Sequence, residues 1–260
     1  MKPTAMILHA IGTNRDLDVA EAFTLAGANA EIVHINQLKE GKKDWKDYQI
    51  LVLAGGFSYA DALGAGKLLA IDLNAYFEDQ VRQFIISGKP VIGICNGFQT
   101  LVKSGLIFEG DDNQKLVDGT LSFNQEGHFE CRWVNLLPRS EKCIWLTDKM
   151  DNIECTIAHG EGNFILRNEK MLQILRVNDM IALQYATPEG NVCDGEYPYN
   201  PNGSIADIAG ICNPAGNVLG LMPHPENNIF AYQHPQRTRK QTTPSGLQLF
   251  LNGVQYAKDM

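Results

Sequence analysis

The sequence predicts an α/β fold, a doubly wound and mostly parallel sheet with an added antiparallel β region. Three observations carry this expectation. Apolar strand-like runs alternate with helical stripes through the first half of the 260-residue chain. The links between them are short, as parallel strand–helix–strand units require. Between about 108 and 190 the pattern changes to alternating segments that suit antiparallel pairing.

The elements follow in order. "AMILHA" (5–10) reads as a first strand. Residues 16–28 carry Leu17, Ala20, Phe23, Thr24 and Ala28 at helical spacing and end near Gly27. "EIVHI" (31–35) and "QILVLAGG" (49–56) are the next strands. Leu69, Leu73, Phe77, Val81, Phe84 and Ile85 form one stripe over 66–87, read as a single helix. "PVIGI" (90–94) is a fourth buried strand, and Phe98 to Val102 begin a helix after it. "EGDDNQKLVDG" is a polar loop. "HFECRWVNLL" and "MLQILRV" read as antiparallel strands. "GNVLGLMPHPENN" (216–228) is a late strand ending in a turn. One domain over 1–260 is expected, with no internal repeat.

Composition bounds the function. The net charge of −8 argues against nucleic-acid binding, which favours a basic face. The one basic stretch, 236–240 with Arg237, Arg239 and Lys240, reads as a solvated loop. No run reaches membrane-spanning length, and the N-terminal apolar run lacks the form of a secretory signal. The cysteines at 95, 131, 143, 155, 193 and 212 contain no C-x-x-C pair, so no metal site is expected. A cytoplasmic location with free thiols follows as the expectation.

"GICNGFQT" (93–100) places Cys95 at a strand-to-helix junction between Gly93 and Gly97. A sharp turn of this kind exposes a nucleophile, and the helix N-terminus favours a thiolate. A small buried hydrophobe is the plain alternative. His224, just past the late strand, falls at the same sheet edge, stiffened by Pro223 and Pro225. Glu226 is close enough to orient its imidazole, which completes a Cys–His–Glu hydrolytic triad. Taken singly, each has a plain reading: a turn histidine and a solvated carboxylate. Gly55, Gly56 and Phe57 end the third strand at that edge, and with the Asn96 N–H they suit an oxyanion hole. An ordinary tight turn is the alternative there.

"GICNGFQ", "AGGFSYADALGAGK", "AHGEGN", "YNPNGS" and "GLMPHPE", in this order, resemble the class I (triad) glutamine amidotransferases. More narrowly they resemble the glutaminase components of phosphoribosylformylglycinamidine synthase. The resemblance spans nearly the whole chain and implies a flavodoxin-like amidotransferase fold. It implies a nucleophile at Cys95, a base at His224 and a carboxylate at Glu226, with Gln99 among the substrate-binding residues. It further implies a γ-glutamyl thioester, and ammonia passed to a separate formylglycinamide ribonucleotide synthetase. A small accessory subunit belongs to the same expectation. No cofactor is implied in this chain; ATP and magnesium serve the synthetase partner. With Met1 a few residues before the first strand, no upstream fused synthetase is expected.

Two positions depart from the family's pattern: Ala54 where proline is common, and Ala60 where glycine is common. The resemblance gives His159 no catalytic part, so a partner-facing or structural role is expected. "AHGEGN" and "YNPNGS" look too mobile by composition to be core. Other readings stay open. One is a flavodoxin-type cysteine hydrolase, which needs its histidine elsewhere. Another is an amidotransferase serving a different synthetase. The last is a regulatory subunit that binds glutamine without hydrolysing it, which a glutaminase assay separates from the rest.

Overall fold

Strands and helices alternate from the start of the chain, and the computed structural model describes residues 2–108, 117–146, 150–239 and 241–260. The elements are β1 (Thr4–His9), α1 (Asp16–Leu25), β2 (Asn29–His34), α2 (Ile35–Lys39) and β3 (Ile50–Leu53). Next come α3 (Lys67–Tyr76), α4 (Glu78–Ile86), β4 (Val91–Ile94), α5 (Asn96–Ser104), β5 (Gly119–Ser122) and β6 (Glu130–Pro138). They are followed by β7 (Ile153–His159), β8 (Asn163–Leu166), α6 (Glu169–Val177) and β9 (Ile181–Ala186). The chain closes with β10 (Ile208–Cys212), β11 (Val218–Leu221) and α7 (Leu247–Asp259).

Nine strands form one sheet in the order β2-β1-β3-β4-β11-β10-β9-β6-β7. β2, β1, β3, β4 and β11 run parallel. From β11 outward the pairing turns antiparallel through β10, β9, β6 and β7. β5 and β8 pair separately. The burial of each strand explains its place. β3, β4, β10 and β11 are buried at every residue, as strands covered on both faces must be. β7 alternates buried and half-buried residues, as a strand covered on one face does. Two helix layers flank the sheet. In one, Phe23 of α1 meets Phe250 of α7 and Trp145 edge-on, at 5.3 and 6.4 Å. In the other, α5 packs so closely that a Cβ on Gly220 of β11 would lie 2.1 Å from the Phe98 ring.

The doubly wound, mostly parallel architecture with an antiparallel wing is therefore as the sequence predicts. Three details differ. "MLQILRV" is not a strand but most of α6. Its apolar positions 171, 172, 174, 175 and 177 suit either period, and Asn168 decides, because its side chain caps the Met171 N–H at 3.3 Å. The 66–87 stripe is two helices. Phe77, with φ −139°, ends α3 and starts α4 so that its ring reaches the core beside Trp45, 5.5 Å away. "YNPNGS" is packed rather than mobile. Asn200, Asn202 and Ser204 are buried, and Asn202 Nδ2 donates to the Gly162 carbonyl and the Tyr185 hydroxyl at 2.8 and 2.9 Å. Residues 109–116 of the polar loop, and Lys240, lie outside the described residues. Arg237 and Arg239 are exposed in turns, as a solvated loop predicts. All six thiols are free. Among the described residues no helix is long and apolar enough to cross a membrane, and no cluster has the make-up of a metal site.

Candidate active site

The parallel strands β3, β4 and β11 end at one edge of the sheet, where α/β folds bind ligands. Cys95 occupies the junction of β4 and α5 with φ 51° and ψ −105°. That conformation is costly for a residue with a side chain. Neighbouring contacts enforce it. The Cys95 N–H donates to the Leu221 carbonyl at 2.8 Å, and Gln99 N–H donates to the Cys95 carbonyl at 3.0 Å. Gly97 lets α5 come within touching distance of β3, since any Cβ there would sit 1.9 Å from the Leu53 oxygen. The turn thus holds the thiol at the sheet edge, and Sγ lies 3.9 Å from the Ala158 carbonyl.

His224 follows β11. Its N–H donates to the Thr156 carbonyl of β7 at 2.7 Å, which fixes the backbone against the antiparallel wing. Its Nδ1 meets Glu226 Oε1 at 2.7 Å, and both side chains are buried. Burial drives the His224 pKa down. The Glu226 carboxylate and the interaction with Cys95 outweigh burial and raise it to about 10. Among the described residues Glu226 Oε2 has no hydrogen-bond partner, so the carboxylate's hydrogen bond is the one to His224. A buried acceptor left open is costly.

The Gly55–Phe57 turn closes over this pair. A Cβ on Gly55 would lie 2.8 Å from His224 Cε1 and 3.4 Å from Cys95 Cβ. Gly56 has φ +124° and lies against Asn14. The Phe57 N–H is used by the Gly12 carbonyl at 3.1 Å. Among the described residues, the Gly55, Gly56 and Asn96 N–H groups have no backbone acceptor outside the helices and strand ladders. Those three, rather than Phe57, are the backbone donors left unpaired at this edge. Asn96 ties the two turns together: Ser58 Oγ donates to its Oδ1, and its Nδ2 donates to Asp61 at 2.7 Å. The same loop is left-handed at Tyr59, Ala60 and Asp61.

Cys95, His224, Gly56 and Phe57 line a cavity of about 420 Å³. Gln99 does not line it. Its side chain donates to the Glu161 carbonyl at 2.7 Å and so holds the "AHGEGN" turn. His159 is buried, which suits the structural role of the two expected. Its Nδ1 lies 3.2 Å from Asn124 Oδ1, and burial with the nearby His224 pushes its pKa down to about 3. The cavity also holds residues that sequence reading passed over, chief among them Arg15, Phe129, Thr156 and Asn227. Arg15 donates through Nη2 to Asn227 Oδ1, and Asn227 Nδ2 to Thr156 Oγ1 at 2.7 Å. Only the arginine's placement beside "GTN" at the end of the first strand hinted at this.

Comparison with known proteins places this geometry. Residues 2–257 match the family model described as the CobB/CobQ-like glutamine amidotransferase domain. A phosphoribosylformylglycinamidine synthase subunit PurQ from Treponema denticola is 53% identical over 268 aligned positions, which cover 98% of this chain and 99% of that protein. The subunit of the same name from Methanococcus maripaludis is 38% identical, covering 98% and 97%. Among solved structures, PurLQS from Thermotoga maritima superposes with a TM-score of 0.73 at 28% identity, covering 98% of this chain and 99% of that one. The chain belongs to the CobB/CobQ-like glutamine amidotransferase family, among its phosphoribosylformylglycinamidine synthase PurQ subunits.

Proposed function

We propose that Cys95, His224 and Glu226 carry glutamine hydrolysis in this glutaminase subunit of phosphoribosylformylglycinamidine synthase, a purine-biosynthetic enzyme. The observation that bears most weight is the convergence of a strained Cys95 turn and the Glu226-bound His224 on one cavity. His224 takes the Cys95 proton, and the sulfur attacks the amide carbon of glutamine. The oxyanion that forms is met by the Gly56 and Asn96 N–H groups. His224 returns the proton to the departing nitrogen, which leaves as ammonia from a γ-glutamyl thioester. Water, its proton taken by His224, then splits the thioester to glutamate and restores the thiol. Glu226 keeps Nδ1 protonated and the ring oriented throughout.

The ammonia passes to a separate synthetase subunit, which uses ATP and magnesium to convert formylglycinamide ribonucleotide to the amidine. A small accessory subunit completes the assembly, in keeping with the PurLQS assembly of Thermotoga maritima. The decisive test is Cys95→Ala in the assembled enzyme. Glutamine-dependent synthesis should vanish while ammonia-dependent synthesis persists. A glutamine-like alkylating agent should label Cys95 and leave Cys155 and Cys212 unmodified. Glutamine hydrolysis that survives the substitution rules the nucleophile out.

A further inference from the structure

The cavity beside Cys95 holds a guanidinium that the hydrolysis steps do not use. We propose that Arg15 binds the α-carboxylate of glutamine and so selects the amino-acid amide over simpler amides; this rests on the triad reading above. Arg15 is fixed at both ends. Its N–H donates to the Gly55 carbonyl at 3.3 Å, the glycine whose Cα hydrogen faces Cys95 and His224. Its Nη2 donates to Asn227 Oδ1, three residues past the base. Asn227 is held in turn by Thr156, whose carbonyl carries the His224 N–H. The arginine therefore reaches from the oxyanion turn to the base turn along the cavity wall.

Charge and reach both suit the carboxylate. Apart from His224, Arg15 is the one cationic side chain among the residues lining this cavity. Asp18 lies 3.0 Å from Nη1, but it is itself 43% exposed, so solvent weakens the pair and the guanidinium keeps donor capacity for a ligand. The α-carbon of glutamine stands three carbon–carbon bonds, each about 1.5 Å, from the amide carbon that Cys95 attacks. A carboxylate one bond further on falls within reach of a side chain anchored next to Gly55. Arginine's planar fork matches a carboxylate through two parallel N–H bonds, which a lysine cannot reproduce. Asn14, exposed on the same wall, adds a neutral amide beside it.

The test compares two alkylators of Cys95 in the complete chain assembled with its synthetase: a chloroketone analogue of glutamine, which carries the α-carboxylate, and iodoacetamide, which does not. Arg15→Gln should slow labelling by the chloroketone by about ten- to a hundredfold, the range for losing charge-assisted hydrogen bonds. Iodoacetamide labelling should stay within about twofold of wild type, and Arg15→Lys should recover part of the loss. In turnover the glutamine KM should rise by a similar factor, with ammonia-dependent synthesis intact. Equal slowing of both reagents, or no slowing of the chloroketone, overturns the carboxylate assignment and leaves the triad standing. Chloroketone labelling at a cysteine other than Cys95 overturns both.

Discussion

Gly55→Ala tests the closeness of the proposed catalytic pair with one methyl group. The new Cβ would stand 2.8 Å from His224 Cε1 and 3.4 Å from Cys95 Cβ. To regain ordinary contact the histidine and the turn must part by about 0.6 Å. The ring has little freedom to retreat. It is buried, its Nδ1 is bound to Glu226 at 2.7 Å, and its backbone is bound to Thr156. The turn is bound to the Arg15 N–H through Gly55 and to Gly12 through Phe57. Misplacing reacting groups by 1 Å costs about a hundredfold in rate, so the variant should lose roughly ten- to a hundredfold in glutamine turnover. Overpacking adds a stability cost of about 1–3 kcal/mol. Gly160→Ala is the matched control, since its Cβ would meet only Phe129, at 3.8 Å. Glutamine- and ammonia-dependent synthesis by the assembled enzyme should be measured alongside thermal unfolding. Gly55→Ala should impair only the glutamine reaction. Wild-type turnover in Gly55→Ala, or equal damage from Gly160→Ala, refutes the reasoning.

Further outcomes follow from other contacts. His224 has a raised folded-state pKa, about 10, so its protonated form stabilises the fold fully below its unfolded value near 6.5. That contribution should fade as pH rises through about 10, and denaturant titrations of Glu226→Gln should show a flatter decline over the same window. Glu226→Gln should also lower glutamine turnover at neutral pH while leaving ammonia-dependent synthesis in place; undiminished turnover reduces the triad to a dyad. Ala60 has φ 54°, a conformation that disfavours any Cβ, so Ala60→Gly should stabilise the protein by about 1 kcal/mol; a fall in stability refutes the strain at that loop. Asn202→Ala strips partners from the Gly162 carbonyl, the Tyr185 hydroxyl and Ser204, and should cost about 2–3 kcal/mol by chemical denaturation.

The parallel half of the fold was legible because its strands are buried on both faces and therefore read as unbroken apolar runs, as in "ILVL" and "VIGI". The Cys95 turn was legible because close approach demands glycine on either side of it. His224 and Glu226 could be paired on paper because their contact is local, two residues apart. What stayed hidden depends on distant partners. Asn200 and Asn202 have the composition of a mobile turn, yet they are buried because Ser204, Asp207, Gly162 and Tyr185 supply their hydrogen bonds. Arg15 looked like one charge among many, because its partner Asn227 is 212 positions away. Gln99 was placed with the substrate by resemblance, whereas its amide is spent on Glu161. "MLQILRV" misled because its five apolar positions fit two periods, and the capping asparagine stands outside the run.

The stitch between the His224 N–H and the Thr156 carbonyl has a consequence for biosynthesis. Cys95 leaves the ribosome early, with the parallel strands around it. His224 arrives late, just past β11, whose neighbour β4 is already made, and it is then pinned to β7 from the intervening segment. Pairings between such remote stretches are the slow part of folding. A partly made chain therefore carries Cys95 without His224 beside it. With the triad proposed above, glutamine hydrolysis should begin only when the wing has closed onto the edge of the parallel strands. Glutamine hydrolysis should then report completed folding, and heating that loosens the wing should silence the enzyme before it exposes the core around Cys95.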